Sequence, residues 1–264
     1  MQRILGIISG KGGVGKTTLA ANIGFSIASQ GLDTTLVDCN ITTSHLGFLF
    51  GIYYYDKTLN DVLRGSSAIQ EATYNYKNLK IIPASLALTD LINIDIEKIF
   101  ECIRGIGSNI IILDSAPGIG REPMSVIQAA NEIIFVTQPY LNSVTDVIRL
   151  NKIIEQLNIK VDGIVLNMVK GLPHELTKSE VEKLTGLEVI EEIPYDETVN
   201  YSLAINKPVV EAFPFSPASI AISRLSSKLT GTFYLPRRSI FARIKSGLLR
   251  LMKEKRVVNV KNLV

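Results

Sequence analysis

The sequence has 264 residues, room for one or two domains at roughly 150 residues each. Hydrophobic residues make up 46% and charged residues 20%, which supports a large core and excludes a wholly disordered chain. Two cysteines, Cys39 and Cys102, and two histidines, His45 and His174, lie far apart, which argues against a disulfide-stapled fold, a zinc ribbon, an iron–sulfur scaffold and a His-ligated metal site. The longest apolar stretch, residues 46–55, is ten residues with two glycines, short of the roughly 20 that span a bilayer. The apolar run 4–8 passes into a glycine loop and is too short for a secretory signal. These features predict an intracellular protein, soluble or at most peripheral to a membrane.

In chain order, residues 4–9 read as a buried strand, 17–30 as a helix closed by Gly31, and 34–38 as a second strand. Short apolar runs recur at 79–83, 110–114, 133–137, 161–166 and 189–193. Helical patterns fill the spaces at 94–106, 122–130, 143–157, 177–184 and 216–229. Short apolar strands alternating with helices predict an α/β fold, a doubly wound, mostly parallel sheet covered on both faces. No linker interrupts this region, so residues 1–236 are assigned to one domain. Pro236 marks a break, and residues 237–264 form a separate basic tail.

The tail carries nine Lys/Arg and one acid, a net +8, while the rest holds 19 basic and 24 acidic residues, a net −5. Such asymmetry points to a tail with its own partner. Advancing about 100° per residue from Ile240 gathers Ile240, Phe241, Ile244, Leu248, Leu251 and Met252 within an arc of about 120°. A basic amphipathic helix of this kind suits an anionic membrane surface. A helix packed on the domain itself and a nucleic-acid-binding helix are the alternatives. The ordered apolar face and the acidic body disfavour nucleic acid.

The sharpest motif is Gly10-Lys11-Gly12-Gly13-Val14-Gly15-Lys16-Thr17-Thr18, between a strand and a helix. In this setting the backbone N–H groups of residues 12–18 curl around phosphate oxygens, aided by the helix N-terminus. Lys16 is expected to reach the β/γ-phosphates and the Thr17 hydroxyl to ligate Mg²⁺. Asp114 ends the apolar strand 110–114 and suits Mg²⁺ or its water, with a helix cap as the alternative. Thr177 and Glu180 fit a helix capping box, not a guanine-reading motif, which favours ATP over GTP.

Lys11 makes this a deviant Walker A pattern, and from here the sequence resembles the MinD/ParA family of ATPases, more closely its MinD branch. Further matching residues are Val37-Asp38-Cys39-Asn40 with Leu46-Gly47, Leu113-Asp114-Ser115-Ala116-Pro117-Gly118, Val136-Thr137-Gln138-Pro139, Ser143-Val144-Thr145-Asp146, Asn167 and Ile193-Pro194-Tyr195-Asp196. They occur in order over roughly residues 2–230. The resemblance implies a P-loop NTPase sheet and an ATP- and Mg²⁺-dependent homodimer. In it Lys11 crosses to the partner's nucleotide; the alternative is a lysine serving its own site. It assigns Asp38 to switch I near Mg²⁺ and the attacking water. Asn167 would read adenine, and the backbone of Pro194–Asp196 would close over the ring. It also implies a slow ATPase switch at the inner face of the cell membrane, with an unidentified activator or cargo, positioning a division site, a flagellum, a pilus or a similar structure. The sequence departs from the family at Asn40, where many relatives carry a second aspartate tied to hydrolysis. A neutral amide predicts slow turnover, with a scaffold that scarcely hydrolyses as the rival reading. A ParA-like DNA-segregating ATPase is a second rival, disfavoured by the acidic body.

Overall fold

A computed structural model describes residues 2–92 and 94–232. The apolar arc of the tail, Ile240, Phe241, Ile244, Leu248, Leu251 and Met252, lies outside these described residues, as does the boundary at 236.

The chain runs β1 (Arg3–Ile8), α1 (Lys16–Ala28), β2 (Thr34–Cys39), α2 (Leu59–Leu63), β3 (Tyr74–Tyr76), β4 (Leu79–Ile82), α3 (Ile99–Arg104) and β5 (Ile110–Ser115). It continues through α4 (Arg121–Ala129), β6 (Glu132–Thr137), α5 (Leu141–Gln156), β7 (Lys160–Val169), α6 (Lys178–Thr185), β8 (Val189–Pro194), α7 (Glu197–Ala204), α8 (Val209–Ala212) and α9 (Pro217–Thr230). Short 3₁₀ turns lie at Leu46–Phe50, Leu88–Leu91 and Ile96–Lys98.

The eight strands form one sheet in the order β3-β4-β2-β5-β1-β6-β7-β8, parallel except for β3 against β4. Successive residues of a strand feed opposite faces. On β1, Ile4 and Ile8 pack into a layer with α4 and α5, while Leu5 and Ile7 pack against α1 and α9. Both layers are close to fully apolar, which explains why these strands read as continuous hydrophobic runs. The doubly wound expectation is met. Among the described residues no helix is long and apolar enough to cross a membrane.

Several expected boundaries move for local reasons. The helix expected over 94–106 is α3 alone, entered through the 3₁₀ turn Ile96–Lys98. There the Asp95 side chain accepts from the Glu97 N–H at 3.2 Å. The sequence reading missed β3, a three-residue strand that turns back through Lys77 at φ 54°; no glycine marks that turn. It also missed α7, whose N-cap is Asp196.

The sheet order sets the site. β5 lies between β2 and β1, so the carboxyl ends of three strands meet. Asp38 of β2 and Asp114 of β5 are register partners, and Ile7 of β1 partners Asp114 from the other side.

Candidate nucleotide site

The loop between β1 and α1 has the shape the glycine motif predicts. Gly13 and Gly15 take φ 81° and 84°, a left-handed backbone that glycine adopts without strain. Gly15 is also the N-cap of α1, and no side chain caps that helix. Its first-turn N–H groups therefore face outward at the positive end of the helix, the arrangement that receives a phosphate. Around the loop is an open cavity of about 730 Å³, walled by Lys11, Lys16, Thr17 and Thr18 on one side and Asn40, Thr43 and His45 on the other.

Lys16 is buried, and its ammonium donates to Asp114 Oδ1 at 2.6 Å and to the Ser115 carbonyl. Asp114 is 1% exposed, and its Oδ2 is buried with no hydrogen-bond partner. A buried carboxylate oxygen without a donor is costly. This orphan is the structural observation that fits a divalent cation or its water held by Thr17, Asp38 and Asp114. Mg²⁺ needs only one or two protein carboxylates when phosphate and water complete its shell, so this donor set suffices.

Asp38 is fully buried beside it. Its Oδ2 accepts from Ser44 Oγ at 2.7 Å and its Oδ1 from the Asn40 N–H at 3.0 Å. Burial, reinforced by the negative charge of Asp114, pushes its carboxyl up to about 7, against the hydrogen bonds and Lys16. The loop after β2 is further held by Thr42, whose hydroxyl donates to Glu122 at the start of α4. Asn40 commits both ends of its amide locally: Nδ2 donates to the Thr43 carbonyl at 2.9 Å and Oδ1 accepts from Thr43 Oγ1 at 3.0 Å. The Lys11 ammonium makes no hydrogen bond or ion pair among the described residues.

A second cavity of about 540 Å³ adjoins the first, sharing Gly15 and Thr18. Asn167, Met168, Pro194, Tyr195 and Asp196 line it, with Val199, Asn200 and Leu203 of α7 and Ile222 of α9. Its lining is mostly apolar. Asn167 is 9% exposed and donates from Nδ2 to the Val14 carbonyl at 2.8 Å. That bond ties the far strand β7 to the phosphate loop and leaves Oδ1 as the amide's acceptor. Met168 beside it is held at φ 60°, unusual for a side chain of that size. Its sulfur accepts from Gln138 Nε2 at 3.2 Å.

Asp196 behaves as a structural cap. Oδ1 accepts from Thr198 N and Oγ1 at 2.9 and 2.8 Å, and Oδ2 from the Ala218 N–H at 3.1 Å. Any polar contact of Asp196 with a base is therefore left to its backbone. Thr177 and Glu180 do form the expected capping box, with Thr177 N and Oγ1 each 2.8 Å from Glu180 Oε2. The α7 wall was absent from the sequence reading. The Asp196-x-Thr198 cap ahead of residues 197–204 was the signal that could have found it.

The structure thus brings Lys11, Gly12, Gly13, Val14, Gly15, Lys16, Thr17, Thr18, Asp38, Asn40, Asp114 and Asn167 around one continuous cleft, with Pro194 and Asp196 at its apolar end.

Comparison with known proteins agrees with this geometry. Residues 5–209 match the model of the CobQ/CobB/MinD/ParA nucleotide binding domain. An uncharacterized ATP-binding protein of Methanocaldococcus jannaschii is 33% identical over 233 residues, covering 87% of this chain and 88% of that one. The septum site-determining protein MinD of Thermotoga maritima is 29% identical over 270 residues, covering 96% and 97%. Among solved structures, MinD of Pyrococcus horikoshii complexed with Mg-ADP superposes with a TM-score of 0.84 at 26% identity, covering 87% of this chain and 96% of that one. The match to the family model extends from β1 to α8 and takes in the phosphate loop, both buried aspartates and Asn167. This chain belongs to the CobQ/CobB/MinD/ParA nucleotide-binding family.

Proposed function

We propose that this protein is a MinD-like ATPase, a switch that binds Mg-ATP, dimerises on it and resets by slow hydrolysis to ADP and phosphate. The observation that carries the reading is the buried Lys16–Asp114 pair with the orphaned Asp114 Oδ2. A lysine ammonium and an unsatisfied carboxylate side by side at the end of the phosphate loop match a phosphate chain and its cation. When the phosphate chain enters, Lys16 gains a second anion to neutralise. Thr17, Asp38 and Asp114 would hold Mg²⁺, which would screen the negative charge on the phosphoryl oxygens. Asp38 orients water on the switch I side. Asn167 Oδ1 would accept from the exocyclic amine of adenine.

The Lys11 ammonium has no hydrogen-bond or ion-pair partner among the described residues and belongs to the dimer. A lysine donated across an interface between two nucleotides stabilises it only while phosphates are present, which links assembly to ATP. The tail, residues 237–264, gives each protomer one weak anionic-membrane anchor, and a dimer presents two. ATP would therefore recruit the protein to the inner face of the cell membrane, where it positions a cellular structure through an activator or cargo protein. Relatives include the septum site-determining protein MinD of Thermotoga maritima and the antiactivator FleN of Pseudomonas aeruginosa.

The test is light scattering and anionic-vesicle sedimentation with Mg-ADP and Mg-ATP. Wild type should dimerise and sediment with ATP, Lys11→Ala should bind ATP but stay monomeric, and Phe241→Glu/Leu248→Glu should dimerise without sedimenting. A wild type that neither dimerises nor sediments with ATP overturns the switch reading.

A specific observation favours a second reading, an ATP-bound dimeric scaffold with little turnover. Asn40 lacks a carboxylate and has both ends of its amide tied to Thr43, so it is poorly disposed to orient water.

A further inference from the structure

His45 stands at a junction that the proposed activity does not use. It is an exposed residue on the wall opposite the phosphate loop, in the cavity that holds Lys11, Lys16, Thr17 and Thr18. It also lines the adjoining groove of about 510 Å³ formed with Thr17, Thr18, Phe48 and Leu203. Its backbone is fixed as the N-cap of the 3₁₀ turn Leu46–Phe50, with its carbonyl accepting from the Phe48 N–H at 3.2 Å. The ring lies against the Phe48 ring at 6.2 Å between centroids. The turn that carries it is anchored in the core by Leu46, Leu49 and Phe50, and the loop before it is pinned by the Ser44–Asp38 bond.

The three residues on this wall differ in what they can offer. Asn40 and Thr43 are committed to each other. His45 makes no side-chain hydrogen bond among the described residues, and its one ring contact is with Phe48. An imidazole donates from nitrogen and, when protonated, adds positive charge. The charged groups around it are Lys11 and Lys16 on the loop, with Asp38 and Asp114 behind them on β2 and β5. Phe48, Leu49 and Leu203 on the flanking elements bring none. A phosphate chain lying on the N–H groups of residues 12–18 would therefore face His45 across the cleft, with no side chain of the opposite wall otherwise free to contact it.

We propose that His45 is a phosphate ligand of the bound nucleotide, donating from its ring to a non-bridging oxygen and closing the cleft from the switch I side. This rests on the reading of the cleft as a nucleotide site. It gives the wall whose acidic position is occupied by Asn40 a direct sensor of phosphate.

Isothermal titration of the full chain with Mg-ATP tests it, using wild type, His45→Ala, His45→Asn and His45→Arg, with thermal unfolding of each ligand-free form. His45→Ala should lose about threefold to tenfold in affinity at unchanged melting temperature, as expected for one charge-assisted contact at an open site. His45→Asn, a neutral donor, should recover part of the loss, and His45→Arg should recover it fully or exceed wild type. Wild-type affinity in His45→Ala overturns the proposal. A loss that neither Asn nor Arg recovers also overturns it, since His45 would then only shape the turn. Absence of Mg-ATP binding in wild type itself overturns the underlying nucleotide reading and this proposal with it.

Discussion

The two ends of the cleft are built in opposite ways. At the phosphate end, charged groups are buried against one another: Lys16 at 6% exposure meets Asp114 at 1%, and Asp38 is fully enclosed. At the base end the wall is apolar and comes from α7, α9, β7 and the residues after β8, elements far apart in sequence. Electrostatics is strong where water is excluded, so the phosphate end is held by few, expensive interactions. The base end relies on packing, which many residues share. The hydrogen bond from Asn167 to the Val14 carbonyl ties the two ends together. Damage at the phosphate end should therefore be abrupt, and damage at the base end gradual.

The largest effect is expected from Lys16→Ala. It leaves Asp114 buried beside Asp38 without a counter-charge, which should cost about 3–5 kcal/mol of ligand-free stability, read by urea unfolding. Mg-ATP affinity should also fall at least ~10-fold, about 1.4 kcal/mol, read by titration calorimetry. Unfolding and binding that both stay at wild-type levels would erase the contrast between the two ends.

Asp38→Asn tests whether the buried carboxylate destabilises the ligand-free protein. The acid is held up to about 7, above its value of about 3.9 in an unfolded chain. Between these values the folded state keeps a proton that the unfolded state has released. Stability from this group is therefore highest at acid pH and falls as pH rises toward 7. The variant should flatten that decline and be more stable than wild type near pH 8, by on the order of a few kcal/mol, read by urea unfolding at several pH values. A wild type with no such decline would refute the assignment.

Gly15→Ala attacks the junction. A Cβ there would lie 2.4 Å from Asn167 Nδ2, on a backbone at φ 84°. Forcing that conformation should cost about 1–3 kcal/mol and loosen Asn167, weakening ATP and ADP alike in fluorescence titrations. If only ATP weakened, Gly15 would act on the γ-phosphate alone and not as the link to the base end.

The smallest effect is expected at Asn40→Asp, where the carboxylate returns to a wall already shaped by Thr43. ATP turnover should rise by about tenfold or less, below the roughly 10²–10⁴-fold that a well-placed general base supplies, because Thr43 already holds this position. Phosphate release measured at saturating ATP decides it, and equal rates would mean that another step limits turnover.

The phosphate end was legible in the sequence because its function needs residues that are local. Glycines at fixed spacing, a lysine and a threonine opening a helix, and an aspartate ending an apolar strand each announce themselves. Asn167 and the Pro194–Asp196 segment came from the resemblance instead. What each does was settled by neighbours: the Asn167 amide turns on Val14, and the Asp196 carboxylate is taken by Thr198 and Ala218. The α7 wall was missed because Val199, Asn200 and Leu203 form an ordinary amphipathic stretch, and nothing in its local pattern says that it faces a base.

The sequence by itself determined the strand and helix alternation, the doubly wound sheet, the phosphate loop and the capping box at Thr177–Glu180. All of these rest on near-neighbour spacing, which the covalent chain fixes. Only the tertiary structure decided that β2 and β5 lie adjacent, so that Asp38 and Asp114 become register partners. It also decided that Lys16 neutralises one of them, that one oxygen is left without a donor among the described residues, and that His45 lines the same cleft as Lys11 and Lys16. These are consequences of burial and of contacts between residues up to 153 positions apart, as for Asn167 and Val14. Burial multiplies the strength of a charge, and no local pattern records which distant charge will be its neighbour.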